Sequence, residues 1–530
     1  MFRPREKQST FFDATYICEK LIPEDSFYRK FREIVWPIIR DDEFAPMYCK
    51  DNGRPSIAPA LLAVATILQF HRNLSDREME RACMYDIEIK YALGLRLDER
   101  PFDHSSLGDF RERLLKNGKE KEIFDRILEH LIKAGLIHKN EIQRIDATHV
   151  IADIAIPTTV TLVRRGTYGI LKVLKKRHKA LYERVGQKID LSRYSKDEVV
   201  RDFPNRADEE IRAKKLVEVV RDARSVLDEV KEVKDEVLIK QVRLLKRILG
   251  EQTIEDQDGN PKERKYKERP KDLLVSPVDP DARFGAKSDK KRFTGYKANI
   301  TETIEGRFIT GIRPMPGNRP DGETAVSLVQ DQKGLGITPP KLIGDSAYGY
   351  GSYRRDLKAR GTEVVAPLRE KNDRSKTIYP KSVFHYDEET NTLACPEGVI
   401  TRQAFYDKPH DLRVFHFPMT VCQKCPRKPE CTNSKDGRRT VGISSFNQEL
   451  RDAEEYNLTE QFKEEMKLRA PIEGKLSELT RYHGMRRARY RGLNKVGLQC
   501  YFTAAAVNIK RWVKLMFEGF KPKIACPAVS

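Results

Sequence analysis

The stretch Glu141-Ile-Gln-Arg-Ile-Asp-Ala-Thr-His-Val-Ile-Ala152 determines how the rest of the sequence is interpreted. It has the apolar and β-branched residues of a buried strand, interrupted by one carboxylate, Asp146. A carboxylate in such a strand has a large desolvation cost unless it is paired or binds a cation. Asp146 is therefore a candidate metal ligand, although a lone acid at a strand end is more often a turn or cap residue.

Two later stretches repeat this feature. Lys341-Leu-Ile-Gly-Asp-Ser-Ala-Tyr-Gly349 is a short apolar strand that ends at Asp345 in a Gly/Ser-rich turn. Arg469-Ala-Pro-Ile-Glu-Gly-Lys-Leu-Ser-Glu-Leu479 has a helical pattern with Glu473 near its start. Oxygen ligands of this kind are those that Mg²⁺ prefers, with positions left open for phosphate and water. The three acids together predict one metal site.

The composition indicates a nucleic-acid partner. The 530 residues suffice for two to four domains, and 100 Lys+Arg against 80 Asp+Glu give a net charge of +20. Basicity alone is also found in ribosomal and membrane-surface proteins. The N-terminus has no apolar signal core, and the longest apolar run, residues 57–68, is too short to span a bilayer. We expect a cytoplasmic protein whose nine cysteines are reduced or bind metal.

Residues 1–140 have the pattern of several short helices with basic flanks, which is typical of a helix-turn-helix DNA-binding domain and also of a plain helical packing domain. Ser75-Asp-Arg-Glu78 is a capping box that predicts a helix start. Residues 164–275 are highly charged, and apolar residues spaced by three, four and seven predict a long helical hairpin. We interpret it as a solvated insert; a dimerisation or DNA-clamping arm is the alternative.

The remaining patterns predict a core made of residues 141–163, 276–370 and 448–515, with alternating strands and helices. Residues 371–447 form a second insert, and residues 516–530 a C-terminal tail. The insert contains Cys395, Cys422, Cys425 and Cys431. Four thiols, two of them three positions apart, favour a structural Zn²⁺ site, while unrelated reduced thiols remain the alternative.

Residues 481–495 contain six basic residues and no acid: Arg481, Arg486, Arg487, Arg489, Arg491 and Lys495. Arginine forks next to a metal site are suited to bidentate contact with phosphates, and the interleaved Tyr482 and Tyr490 could stack on an unpaired base. A solvated basic face is the alternative. Together with Arg469, these residues are the predicted DNA contacts.

These motifs resemble those of a known family. The Ile-Asp-Ala-Thr-His block at Asp146, the Gly-Asp-Ser-Ala-Tyr block at Asp345, and Arg469-x-x-x-Glu473 followed by residues 483–492 are similar to the signatures of bacterial insertion-sequence DDE transposases, of the retroviral-integrase-like superfamily. The similarity covers nearly the whole chain. It implies an α/β fold with a ribonuclease H-like mixed-sheet catalytic core, an N-terminal all-α domain, a helical insert and a small Cys-rich insert before the catalytic Glu.

The resemblance also implies a chemistry. Asp146 would bridge two Mg²⁺ or Mn²⁺ ions, with Asp345 holding one and Glu473 the other. The enzyme would cleave DNA at the element ends and join the freed 3′-hydroxyl to target DNA. Its partner would be double-stranded DNA, comprising the terminal inverted repeats and the target. A homodimer on paired ends and a nucleoid-associated, cytoplasmic location are expected by resemblance.

The sequence departs from the family pattern at two positions. Met466 stands where relatives often have Tyr, and Thr480 where they often have Lys. The phosphate contact of that Lys could pass to Arg481 or Lys475. A catalytically decayed, transposon-derived DNA-binding regulator is therefore the alternative function, and a nuclease that cuts without joining is a third. His149 is interpreted as a packing residue rather than a metal ligand.

Overall fold

The structure is a computed structural model that describes residues 1–5, 10–49, 53–200, 209–288, 291–368 and 378–519. Residues 371–377 of the predicted Cys-rich insert lie outside the described residues. Residues 520–530 of the predicted tail, including Cys526, lie outside them as well.

Seven α-helices of the described residues make up the N-terminal part: α1 Ala14–Ile17, α2 Phe27–Val35, α3 Pro59–His71, α4 Asp76–Tyr85, α5 Ile87–Leu93, α6 His104–Lys116 and α7 Glu122–Lys133. The predicted capping box begins α4, because Ser75 accepts a hydrogen bond from the Glu78 amide while the Glu78 carboxylate accepts one from the Ser75 amide. Helix α3 is buried from Pro59 to Phe70, which explains its continuous apolar run. Neither α3 nor any other described helix is long and apolar enough to cross a membrane.

Strand β1, Gln143–Ile151, follows these helices and leads into the helical insert. The insert contains α8 Thr159–Arg177, α9 Lys179–Gly186, α10 Lys196–Val200, α11 Glu209–Glu229 and α12 Glu236–Gln252, then the antiparallel pair β2 Thr253–Glu255 and β3 Pro261–Glu263. Helix α8 packs on both α11 and α12, so the arrangement is a bundle rather than the predicted hairpin. Helix α8, the first helix of the insert, begins at Thr159, five residues before the expected start of the insert at residue 164.

A mixed sheet lies at the centre of the molecule. Its further strands are β4 Arg283–Ser288, β5 Lys291–Thr303, β6 Ile309–Pro316, β7 Lys341–Ile343 and β8 Glu363–Val365. The order is β4-β5-β1-β7-β8, and β6 also pairs with β5. Strands β1, β5 and β6 pair antiparallel, whereas β7 and β8 join β1 in parallel through α13 Ala325–Gly334 and α14 Gly351–Lys358. The fold is mixed α/β, as predicted. Strand β4 was not predicted; it directly follows residues 276–283, which have a turn composition.

The Cys-rich insert consists of two small antiparallel sheets with short helices. These are β9 His385–Asp387, β10 Thr392–Ala394 and β11 Ile400–Thr401, then β12 Ala404–Asp407, β13 Leu412–His416 and β14 Thr440–Ser444, with α15 Met419–Cys422 and α16 Lys428–Cys431. Buried Phe384, Phe415 and Phe417 form its small core. The chain ends in α17 Asn447–Asn457, α18 Glu460–Lys467, α19 Ile472–Ser477 and α20 Leu493–Phe517.

Helix α20 joins the N-terminal helices to the sheet. It packs between strand β6 and helices α2, α3, α6 and α7. On the sheet side, the Asn508 amide donates to Ile309 O and accepts from Ile309 N, both at 2.8 Å. On the other side, the Phe502 ring stacks on Phe70 of α3 with centroids 5.8 Å apart. The N-terminal helices and the sheet therefore share one hydrophobic core.

We predict that Phe502→Ala lowers the free energy of unfolding by about 3–5 kcal/mol, because it removes a buried aromatic ring from the shared core. Chemical denaturation monitored by circular dichroism measures the loss. The matched control is Phe517→Ala at the end of the same helix, where the ring is 45% exposed; its effect is expected to stay within about 0.5 kcal/mol. Equal effects of the two changes would contradict a shared core centred on α20.

Candidate active site

Asp146 and Asp345 lie at equivalent positions of two neighbouring parallel strands. Strand β1 pairs with β7 in a register that sets Gln143 beside Leu342 and Arg144 beside Ile343. Two further residues lead from Arg144 to Asp146 within β1, and from Ile343, the last residue of β7, to Asp345. The backbone at Asp345 is still extended, with φ −82° and ψ −175°. Since paired strands lie about 4.8 Å apart, the structure brings these two predicted site residues together.

Each carboxylate has one oxygen engaged by a backbone amide. Asp146 Oδ1 accepts from the Ala147 amide at 2.8 Å, and its Oδ2 accepts from Arg469 Nη2 at 2.8 Å. Asp345 Oδ1 accepts from the Ala347 amide at 2.8 Å and caps the 3₁₀ turn Ser346–Tyr348. Arg469, a predicted DNA contact, is thus an ion-pair partner of Asp146.

The electrostatics of Asp146 favour a cation. The pKa of this carboxyl is raised from its ordinary value to about 6. Burial is the largest cause, and the neighbouring Asp345 and Asp321 also raise the pKa, while Arg469 and the Ala147 amide lower it. The Asp146 side chain is only 13% exposed. A buried acid next to other acids is stabilised in its charged form by a metal ion. The oxygen donors of the pair therefore fit a hard divalent cation.

Asp321 is a neighbour that the sequence analysis did not single out. It begins a 3₁₀ turn, and Lys297 Nζ donates to its Oδ1 at 2.7 Å. Asn299, fully buried on β5, donates to Asp321 O at 2.5 Å and accepts from the Tyr348 hydroxyl at 2.6 Å. Asn299 therefore connects the Asp321 loop to the turn that follows Asp345. In the sequence, the only sign of Asp321 was its position in the Gly/Pro-rich loop 316–322.

Glu473 stands apart from the pair. It is an exposed residue of α19, four positions after the Arg469 that contacts Asp146. Among the described residues, no hydrogen bond or ion pair involves its carboxylate. No group of three or more His, Cys, Asp or Glu side chains in the described part of the chain is arranged to hold a metal ion. The structure therefore joins two of the three predicted acids and leaves the third one helical turn away from Arg469.

The basic segment, residues 481–495, is attached to the end of β1. The Ile151 amide donates to Arg486 O and the Ala488 amide donates to Ile151 O, both at 2.8 Å. Arg486 Nη1 also donates to His149 O at 3.1 Å. The segment is thus bonded to the carboxyl end of β1, the strand that contains Asp146.

The predicted DNA-contacting side chains have different environments. Four are exposed: Arg481, Arg487, Arg491 and Lys495. Arg489 is engaged within the protein, where Nη1 donates to Leu74 O at 2.6 Å, Nη2 donates to Asn73 Oδ1 at 2.5 Å, and the guanidinium lies 4.6 Å from the Phe70 ring centre. Of the two tyrosines, Tyr482 is 70% exposed, whereas Tyr490 packs against Arg111.

Two neighbouring residues bear on the departures from the family pattern. Thr480 lies in a π-helical turn, Glu478–Tyr482, and its hydroxyl donates to Leu476 O at 2.8 Å. The Lys475 side chain is only 4% exposed and pairs with Glu478 at 3.2 Å, so it is not available to a phosphate. Of the two predicted substitutes for the missing lysine, exposed Arg481 remains. His149 packs beside Phe293, with ring centres 5.0 Å apart.

The four predicted zinc ligands line one cavity of the Cys-rich insert, together with Phe384 and Phe417. Burial raises the pKa of the Cys431 thiol, and the charges of Cys422, Cys395 and Cys425 raise it as well, while Arg439 lowers it. The thiols are therefore close enough to influence one another. Soft sulfur donors around one cavity fit Zn²⁺ in their chemistry, although they are not arranged around a metal position in the described structure.

Two families match the chain. The family described as "Transposase DDE domain" matches residues 394–513, which include the four cysteines, Glu473 and the basic segment. The family described as "Transposase domain (DUF772)" matches residues 16–113, which span α2 to α5 and most of α6. Asp146 and Asp345 lie outside both matched ranges. Neither a curated protein nor a solved structure matches the chain.

We predict that Asp146→Asn stabilises the protein by about 2 kcal/mol at pH 7.5 without added divalent metal, because the folded state no longer holds a charge that burial disfavours. The folded pKa is raised from 3.8 to about 6. The gain is therefore full above pH 6, decreases as the pH falls towards 4, and is absent below it. Denaturation midpoints at pH 7.5 and pH 4 measure it.

The control is Asp258→Asn in the exposed turn between β2 and β3, which is expected to change neither midpoint. A gain that is the same at both pH values, or a loss of stability at pH 7.5, would contradict the raised pKa of Asp146.

Proposed function

We propose that this chain, which matches two transposase domain families, is an insertion-sequence DDE transposase that cuts DNA at the ends of its element and joins them to target DNA. The family implies a DNA substrate. The observation that best supports the proposal is the placement of Asp146 on β1 next to Asp345, which follows the neighbouring strand β7, with the pKa of Asp146 raised to about 6. The mixed sheet that holds them would be a ribonuclease H-like catalytic core.

Asp146, Asp345 and Glu473 would together hold two Mg²⁺ or Mn²⁺ ions. When bound, two such ions activate the attacking oxygen, polarise the scissile phosphate and stabilise the leaving oxygen. The residues present fit this group, because the pair consists of oxygen donors whose mutual repulsion a cation relieves. In this proposal Glu473 approaches the pair when DNA and metal bind.

The protein's own side chains position the DNA. Exposed Arg481, Arg487, Arg491 and Lys495 would contact phosphates that flank the scissile bond, since the backbone bonds of Ile151 hold their segment at the end of the strand that contains Asp146. In the first step water attacks the phosphorus and the bond to the 3′-oxygen breaks, leaving a 3′-hydroxyl. In the second step that hydroxyl attacks a target phosphate, and a new phosphodiester replaces the one that breaks.

The N-terminal helices would bind the terminal inverted repeats. The match of residues 16–113 to a transposase domain and the net charge of +20 support this assignment. A homodimer on paired ends and association with the nucleoid rest on the family resemblance. The four cysteines Cys395, Cys422, Cys425 and Cys431 would bind one structural Zn²⁺, which stabilises an insert whose apolar core is small.

One observation favours a second candidate, a decayed copy that binds DNA without cutting it. Thr480 and Met466 replace family residues, and the Thr480 hydroxyl is used within its own helix. Arg481, the next residue, is exposed and remains as the basic contact at this position. Intact Asp146, Asp345 and Glu473 favour the enzyme.

The first prediction is that the protein nicks a labelled duplex containing its element's end in the presence of Mg²⁺. Asp146→Asn, Asp345→Asn and Glu473→Gln are each expected to slow nicking by about a thousandfold or more while DNA affinity is retained, because each removes a metal ligand. The matched control is Asp331→Asn, which removes an acid that pairs with Arg313 on the far side of the sheet and leaves nicking unchanged. Binding without nicking in every protein, wild type included, would favour the decayed regulator.

The second prediction is that the purified protein contains about one Zn²⁺ per chain, since four thiolates complete a tetrahedral shell. Cys422→Ser and Cys425→Ser are expected to lose the metal, measured by atomic emission spectrometry. Cys49→Ser, which removes an exposed cysteine outside the insert, is expected to keep it. Zinc content that is unaffected by Cys425→Ser would contradict the four-cysteine site.

A further inference from the structure

Glu302 is a carboxylate that is fully buried in strand β5. It lies directly opposite Arg144 of β1, and Arg144 Nε donates to its Oε2 at 2.8 Å. The Arg144 side chain is itself only 2% exposed. A buried carboxylate without a partner is strongly unfavourable, so removing Arg144 or Glu302 alone would leave a costly uncompensated charge in the sheet.

Two more cations reach the same carboxylate from other parts of the chain. Arg307, in the turn between β5 and β6, places Nε 3.3 Å from Glu302 Oε1. Lys475 of α19 places Nζ 3.8 Å from the same oxygen, and its side chain is 4% exposed. Glu302 is therefore the centre of a buried cluster with one cation from β1, one from the β5–β6 turn and one from α19.

The same arginines also hold the backbone that precedes α19. Arg144 Nη1 donates to Leu468 O at 2.7 Å, and Arg307 Nη2 donates to Pro471 O at 2.9 Å. These two carbonyls flank the turn that contains Arg469, the partner of Asp146, and α19 begins immediately after it at Ile472. Both ends of the turn are thus fixed by side chains that Glu302 orients.

Helix α19 is short, with six residues, and continues directly into the π-helical turn Glu478–Tyr482. A helix of that length depends on tertiary contacts for its stability. Its buried residues are Ile472, which lies in the shared core, and Lys475, which ends at Glu302. This charge cluster is therefore one of two contacts that hold α19 against the sheet.

We infer that Glu302 is a positioning residue: through Arg144, Arg307 and Lys475 it holds residues 468–475, the turn and the start of the helix that contain Arg469 and Glu473. The inference rests on the proposed function, which gives Glu473 its role. Glu302 would touch neither DNA nor metal. Its effect is exerted through the two carbonyls and through the Lys475 side chain.

Arg307 is the position at which to test the cluster, because its side chain is 40% exposed and the fold does not depend on burying it. Arg307→Met removes both the contact with Glu302 and the hydrogen bond to Pro471 O. Arg307→Lys restores the charge but only part of the hydrogen bonding. The matched control is Arg313→Met on the adjacent strand β6, where a 36% exposed arginine pairs with Asp331 instead.

Hydrogen exchange of the protein without metal provides a readout that does not depend on activity. Arg307→Met is expected to speed exchange of the amides of residues 472–477 by about tenfold or more, because a hydrogen bond to a charged group is lost. Arg307→Lys is expected to restore part of the protection, and Arg313→Met to leave these residues unchanged. Unchanged exchange in Arg307→Met, or an equal effect of Arg313→Met, would overturn the inference.

Single-turnover nicking of the end duplex separates this inference from the proposed function. Arg307→Met is expected to slow nicking by about tenfold, to raise the Mg²⁺ concentration needed for half-maximal rate, and to leave DNA affinity unchanged. If Glu473→Gln nicks at the wild-type rate, the proposed role of Glu473 fails while the exchange result still stands. If Glu473→Gln is inactive and Arg307→Met nicks normally at low Mg²⁺, the positioning role alone fails.

Discussion

The central sheet has buried carboxylates on one face, and the way each is compensated determines the organisation of the site. Asp146 and Arg144 are two positions apart on β1, and Arg144 pairs with Glu302 across the strands, so Asp146 and Glu302 share that face. Glu302 has three cations around it. Asp146 has one, Arg469, and has Asp345 and Asp321 as neighbours of its own charge. The charge of Glu302 is therefore compensated by cations of the protein, whereas the charge of Asp146 is compensated only in part and can bind a metal ion.

The two carboxylates are also connected through one piece of chain. The cations of Glu302 hold the turn 468–471, and Arg469 in that turn is the partner of Asp146. The helix that follows contains Glu473, the third acid of the proposed site. An ion entering between Asp146 and Asp345 would compete with Arg469 for Asp146. Arg469 would then have to move away and Glu473 would have to come closer. Because the cations paired with Glu302 hold both ends of this turn, they would limit how far it can move.

The basic segment belongs to the same assembly. It is bonded to the end of β1 and continues into α20, which packs on both the sheet and the N-terminal helices. Arg489 bonds to the turn after α3 and Arg486 bonds to β1, so two arginines in the middle of the segment attach it to two parts of the molecule. DNA held by the exposed arginines would therefore be fixed relative to both the acids and the helices proposed to bind the element ends.

Much of this was predictable from local sequence and some of it was not. An acid inside an apolar strand indicated Asp146, a Gly/Ser turn after a short strand indicated Asp345, and the Ser75 capping box fixed a helix start, because each depends on adjacent residues. Glu302 has the same signal as Asp146 but lies 158 positions from Arg144, and sequence gives no pairing at that distance. The sequence also does not show which basic side chains are buried. Arg489, a predicted DNA contact, and Lys475, one of two candidate substitutes for the family's lysine, are both bonded inside the protein.

In the proposed enzyme, Asp146, Asp345 and Glu473 gather around one metal site when DNA binds. This arrangement is tested most directly by replacing Mg²⁺ with Fe²⁺ in the zinc-loaded protein bound to its end duplex and adding ascorbate and peroxide, so that hydroxyl radicals cut the polypeptide next to the bound ion. We predict three groups of cuts in the polypeptide, near residues 146, 345 and 473, and we expect all three to be lost in Asp146→Asn. Cuts at 146 and 345 without one at 473 would contradict the three-acid site, and the absence of cuts at all three would contradict a metal site at this edge of the sheet.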